Sequence, residues 1–181
     1  YKESNYNSLS FIFRHNSYNK RYLPEIGKKI IIENNLGKDT YNDKLFYKIS
    51  MILNQIFPLY KNINISINSW NQYINSPDGV TNPAREIRYG GINNLRGYFD
   101  NQFRSDKISV KNIELHLQKN PFFRTLLFFD LGLVPNELPK SSSGFGINKL
   151  TKRALFEVQY AIPHSNSLSS GKIHFKWTSR L

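Results

Sequence analysis

The sequence predicts an all-β fold, an antiparallel transmembrane β-barrel, and three observations predict it. Apolar and polar residues alternate with a period of two through most of the chain, and no helical period of useful length interrupts them. One alternating run, KLFYKISMILNQIF, extends over about 14 residues, where a globular strand has about 5 to 6 and a tilted strand needs roughly 9 to 11 to cross the hydrocarbon layer. Aromatic residues make up 14% of the chain, with Tyr and Phe near the ends of the runs, as in the interfacial girdles of membrane barrels. A soluble sandwich or jelly roll is the competing architecture, since it too is built from alternating strands.

The elements follow in order. SLSFIFRH carries Leu9, Phe11 and Phe13 on one face, and GKKIIIENN reads as the next strand. KLFYKISMILNQIF puts Leu45, Tyr47, Ile49, Met51, Leu53 and Phe57 on one face and Lys44, Lys48, Ser50 and Asn54 on the other. FPLY then reads as a short turn into KNINISINSW, where Ile63, Ile65 and Ile67 alternate with Asn62, Asn64, Ser66 and Asn68. A long loop runs from about Asn71 to Lys107, and loops of that length are usually functional or disordered. Beyond it come Ile113, Leu115 and Leu117 in KNIELHLQ, then Leu127, Phe129, Leu131 and Leu133 in RTLLFFDLGLV. SGFGINKL is a weaker strand. Phe156, Val158, Tyr160 and Ile162 in RALFEVQYAIP and Ile173, Phe175 and Trp177 in GKIHFKWTS complete about nine strands joined by Gly-, Asn-, Ser- and Pro-rich connections. Every connection can be antiparallel, and no segment offers a crossover helix.

Composition narrows the function. No window approaches the roughly 18 consecutive apolar residues of a membrane helix. There is no cysteine for a disulfide or thiolate site, and His15, His116, His164 and His174 lie far apart without ligand spacing, so neither metal nor cofactor is expected. The net charge of +12 comes from 25 basic residues spread from Lys2 to Arg180 rather than gathered in one stripe. That dispersal argues against nucleic acid and for an anionic membrane surface as the electrostatic partner.

The strongest constellation centres on the loop. Glu114 lies on the face opposite Ile113, Leu115 and Leu117, and Asp130 on the face opposite Phe129 and Leu131, so both point into the lumen if the apolar faces meet lipid. Buried carboxylates need partners. Arg96, in the glycine-rich stretch GGINNLRGYFDNQF, can supply a guanidinium to both through charge-assisted hydrogen bonds. Gly90, Gly91 and Gly97 would let the loop double back, with Tyr98 and Phe99 packing beside the arginine. A solvent-exposed loop with one basic residue among many is the alternative.

Ordered motifs then suggest a family. LRGY at Leu95 to Tyr98, preceded by Gly90 and Gly91, resembles the loop-six signature of the BamA/TamA-like outer-membrane assembly superfamily, also called the bacterial surface antigen family. IEL at Ile113 to Leu115 resembles its glutamate-bearing strand, and FFDLG, with Phe128, Asp130 and Gly132, resembles the F-x-D-x-G strand. GFGI at Gly144 to Ile147, FEVQYAIP at Phe156 to Pro163 and, upstream, RYLPEIGKKIII are similar to further family strands, and GKIHFKWTSRL is similar to closing strands of Bacteroidota-type members. Two positions depart: His116 stands where the family often has arginine, and Leu181 where it usually has an aromatic residue.

The resemblance implies that Arg96, Glu114 and Asp130 form a structural latch in the lumen, with no catalytic residue. It implies a bacterial outer-membrane protein that assists insertion of other barrels or translocates protein, with outer-membrane lipids or lipopolysaccharide, client barrel proteins and periplasmic or lipoprotein partners around it. A barrel that anchors or exports an N-terminal patatin-like enzyme, or a simple barrel, is the alternative. About nine of the family's 16 strands are present. With Tyr1 first and no leader, residues 1–181 are expected to be the C-terminal part of the barrel domain, the N-terminal strands and any periplasmic domains being absent.

Overall fold

The computed structural model describes residues 6–39, 45–75, 85–164 and 170–180. The main body is one nine-stranded sheet. In chain order the strands are β1 (Tyr6–Asn16), β2 (Gly27–Asp39), β3 (Leu45–Tyr60), β4 (Ile63–Asn75), β7 (Lys107–Asn120), β8 (Phe123–Leu133), β9 (Lys140–Leu150), β10 (Ala154–Pro163) and β11 (Lys172–Ser179). Neighbours in sequence are neighbours in the sheet, and each pair is antiparallel. Two short strands, β5 (Ile87–Tyr89) and β6 (Phe103–Ser105), form a separate hairpin inside the β4–β7 connection. Among the described residues, β1 and β11 are each paired on one side only.

The distribution of side chains inverts that of a soluble sandwich. Leu127, Phe145, Phe175 and Trp177 on the outer face are 59, 58, 62 and 61% exposed. The inner face buries Ser66, Asn112, His116, Gln118, Arg124, Asp130, Asn148 and Gln159. Polar groups inside and apolar groups outside is the pattern of a wall standing in lipid, where every backbone group of the strand interior is paired within the sheet.

Two boundaries differ from the sequence reading. FPLY belongs to β3, and the turn is Lys61–Asn62, with Lys61 at φ +34°. Pro58 is accommodated because the β3–β4 register shifts between Pro58 and Tyr60, a bulge at which the missing N–H costs little. The loop starts after Asn75 rather than at Asn71, since β4 continues through Trp70 and Ile74, and it returns where Ile74 N donates to Asp106 O at 2.8 Å. Residues 76–84 of the expected loop, Lys44 and Leu181 lie outside the described residues.

The strictly antiparallel order places the β1–β2, β3–β4, β7–β8 and β9–β10 turns at one end and the long β4–β7 loop at the other. The β1–β2 turn reaches inward. Leu23 is only 3% exposed, Arg124 Nη2 donates to Pro24 O at 2.5 Å, and Gln118 Nε2 donates to Glu25 Oε1 at 3.2 Å.

Candidate functional site

The β4–β7 loop folds onto the inner face of the sheet and brings its own core. Ile87, Tyr89, Leu95 and Tyr98 from the loop bury against Ile74, Ile108 and Val110 of the wall, with Trp70 and Phe103 alongside. Tyr89 and Tyr98 both contact the Phe103 ring, at centroid distances of 5.2 and 5.1 Å. Apolar burial of this kind, worth about 25 cal/mol per Å², helps hold the loop down alongside the ion pairs.

Local chemistry shapes the tip. Gly91 has φ +92°, and a Cβ there would lie 1.6 Å from Asp100 Oδ1. Asn94 Oδ1 accepts from Gly90 N and Leu95 N, both at 2.8 Å, and Gly91 N donates to Leu95 O at 2.9 Å, closing a compact turn. Asn112 Nδ2, on β7, donates to Asn94 O at 2.8 Å and fastens that turn to the wall. Leu95 is fully buried where β8 carries Gly132, whose absent Cβ would lie 3.1 Å from Leu95 Cδ2.

Arg96 then points along the wall. Its Nε donates to Asp130 Oδ2 at 2.7 Å and its Nη2 to Asp130 Oδ1 at 2.5 Å, a fork-to-fork pair, while its backbone N–H also donates to Oδ2 at 3.0 Å. Nη1 donates to Glu114 Oε1 at 2.6 Å and to Gln159 Oε1 at 3.1 Å. The guanidinium carbon sits 3.6 Å from the centre of the Phe128 ring, and that ring in turn occupies the space left by Gly144 on β9. Burial alone would lower the Arg96 pKa, but the hydrogen bond to Asp130 and the charges of Glu114 and Asp130 outweigh it and leave it raised. Arg96 is therefore a permanent cation whose charge is compensated, which is the condition for keeping it buried.

Glu114 is shared. Its second oxygen, Oε2, lies 2.7 Å from His116 Nε2, so His116 is the carboxylate's other partner.

The loop also grips the last strand. All three inward residues of β11 between Lys172 and Lys176 touch it: Lys172 Nζ lies 4.1 Å from the Phe99 ring centre, Gly97 N donates to His174 Nε2 at 2.9 Å, and Lys176 Nζ donates to Asn93 Oδ1 at 2.9 Å. Gly97 has φ +86°, and a Cβ there would lie 3.2 Å from both Pro163 and Ser142. Tyr98 Oη reaches Ser141 O at 3.3 Å.

The structure thus brings Arg96, Glu114 and Asp130 together, with Gly90, Gly91, Leu95, Gly97 and Tyr98 forming the turn that delivers the arginine and Phe128 and Gly132 the wall that receives it. Phe99 departs from the expectation. It is 66% exposed, and the aromatic beside the guanidinium is Phe128, because Phe99 follows the Gly97 turn away from β8 toward β11, where its ring meets Lys172. Gln159, His174, Asn112 and Asn94 had not been singled out. Their inward position on alternating strands, or in the loop next to Arg96, is the only signal the sequence carries for them. Among the described residues, no group of His, Asp and Glu is arranged to hold a metal ion.

The profile of the Omp85 superfamily domain matches residues 1–178. Among solved structures, BamA from Haemophilus ducreyi lacking POTRA domains 1–3 is similar, with a TM-score of 0.75 and 20% identity, over 94% of this chain and 41% of that one. The chain thus spans well under half the length of that relative. No curated protein matches.

Proposed function

Because the chain belongs to the Omp85 superfamily, and so to the β-barrel proteins of the bacterial outer membrane, we propose that it serves in inserting other barrels or in translocating protein across that membrane. Within the superfamily the reading is a BamA/TamA-like factor of Bacteroidota type, with residues 1–181 forming the C-terminal part of a larger barrel domain. Its partners are client barrel proteins, outer-membrane lipids or lipopolysaccharide, and periplasmic or lipoprotein components. Its work is done by a strand edge rather than by a catalytic group.

The observation that supports this most is the buried clamp of Arg96 on Asp130 and Glu114, placed by the loop beside an edge strand, β11. A loop fixed at one end of the lumen gives the wall a stiff section beside β11, the last strand of the sheet among the described residues. Arg96 is a structural latch in this scheme.

The test replaces the native full-length gene with Asp130→Ala and follows heat-modifiable mobility of the outer-membrane barrels. Loss of assembled barrels supports insertion, and loss of one exported protein with barrels intact supports translocation. Unchanged export and assembly, or loss of only an attached enzyme's surface display, would overturn both.

A further inference from the structure

The net charge of the chain is unevenly placed. At the turn end, Lys61, Lys119, Lys152, Arg153 and Arg180 are exposed, each in or within two residues of a strand terminus at that end. Among the described residues of those turns there is one carboxylate, Glu25, and it is already paired with Lys20 at 2.7 Å. At the loop end, Glu86, Asp100, Asp106 and Glu137 are interspersed with the basic residues. Charge that solvation alone required would show no such bias between the two ends.

Aromatic and aliphatic groups are interleaved with these cations. Tyr60 and Phe122 are 62 and 60% exposed, with Leu59 and Trp177 similarly open. Lys61 lies 5.4 Å from the Tyr60 ring centre. Amphipathic rings sit at the depth of lipid headgroups, and long basic side chains above them extend their tips to the phosphates. A folded protein partner would meet a ring of separated turns here, whereas a bilayer leaflet meets the whole rim at one depth.

We propose that this collar binds the phosphate groups of anionic phospholipids in the leaflet at the turn end, the periplasmic one because the turns there are short. The collar fixes the depth of the wall in the membrane and gathers acidic lipid around it. This holds for any barrel of this orientation, whichever client it serves, so it stands or falls separately from the insertion reading.

The test uses the full-length protein reconstituted in phosphatidylcholine bilayers containing either brominated phosphatidylglycerol or brominated phosphatidylcholine. Quenching is read from Trp177, as the part of the fluorescence lost in Trp177→Phe, since Trp177 lies two residues from the end of β11 on the outer face. Phosphatidylglycerol is expected to quench several-fold more strongly, and the preference should vanish in high salt and in the triple variant K152E/R153E/R180E. The same preference is expected to survive R88E at the loop end. Heat-modifiable mobility checks that the variants are folded, and K152Q/R153Q/R180Q serves if the reversal does not fold. Equal quenching by the two lipids, or a preference that persists in a folded triple variant, would overturn the proposal. So would an acidic periplasmic protein that binds the wild type and not the variant while lipid quenching is equal.

Discussion

The loop is fastened to the wall in two places of different character. On the β7–β8–β10 side, Arg96 is 4% exposed and makes five hydrogen bonds with Asp130, Glu114 and Gln159, over the face of Phe128. On the β11 side, three rungs each consist of one contact, and two of them end on lysines that solvent can reach. A buried, over-determined contact resists separation because breaking it strands a charge, whereas exposed single contacts exchange with water at little cost. The difference teaches that the loop is held more firmly to β7, β8 and β10 than to β11, where only the His174 contact is buried.

Mutations can break or sharpen this contrast, and the largest effect is expected at Asp130. Asp130→Ala leaves the buried guanidinium without its fork partner and should destabilise the folded full-length protein by about 3–5 kcal/mol, seen as a lower midpoint of heat-modifiable mobility. In a double-mutant cycle with Arg96→Ala the losses should be strongly non-additive, and additive losses would mean that the contact carries no energy of its own. Next is Gly97→Ala, about 1–3 kcal/mol, because alanine at φ +86° is strained and its Cβ presses on Pro163 and Ser142. Phe128→Leu keeps an apolar side chain at this buried site while removing the ring from beneath Arg96, and should cost about 1–2 kcal/mol in urea unfolding.

Smaller effects are expected on the other side. His174→Phe removes the acceptor for Gly97 N–H and should cost about 1 kcal/mol, yet it should raise hydrogen exchange in β11 while leaving β8 unchanged. Lys176→Ala should fall below about 0.5 kcal/mol. If His174→Phe loosened β7 and β8 as much as β11, the two attachments would be one cooperative unit and the contrast would fail.

The wall was readable from residue order because its outer face must be apolar throughout. Alternation in KNIELHLQ and RTLLFFDLGLV was enough to aim Glu114 and Asp130 inward, and Arg96 stood in a loop whose glycines permit a reversal. Gln159 and His174 escaped notice since the inner face carries many polar residues and their pairing with the loop depends on the β8–β9–β10–β11 register, which no local pattern encodes. Trp70 and Ile74 misled in another way. They are apolar on the inner face, where the loop core covers them, and so the sequence lost the strand at Asn71. FPLY failed because proline usually marks a turn, and here a bulge absorbs it.

The β1–β2 turn has a consequence for shape. In the sheet order, Arg124 on β8 stands four strands from β2, yet it holds the carbonyl of Pro24 across the hollow. Such a link acts as a chord drawn across an arc. The ladder between neighbouring strands sets only their local twist, and many small twists leave the radius of the arc soft. With its chord in place, this end of the wall keeps its radius between β2 and β8, and Arg180, 5.2 Å from the Tyr22 ring centre, carries a second tie from the same turn to the end of β11.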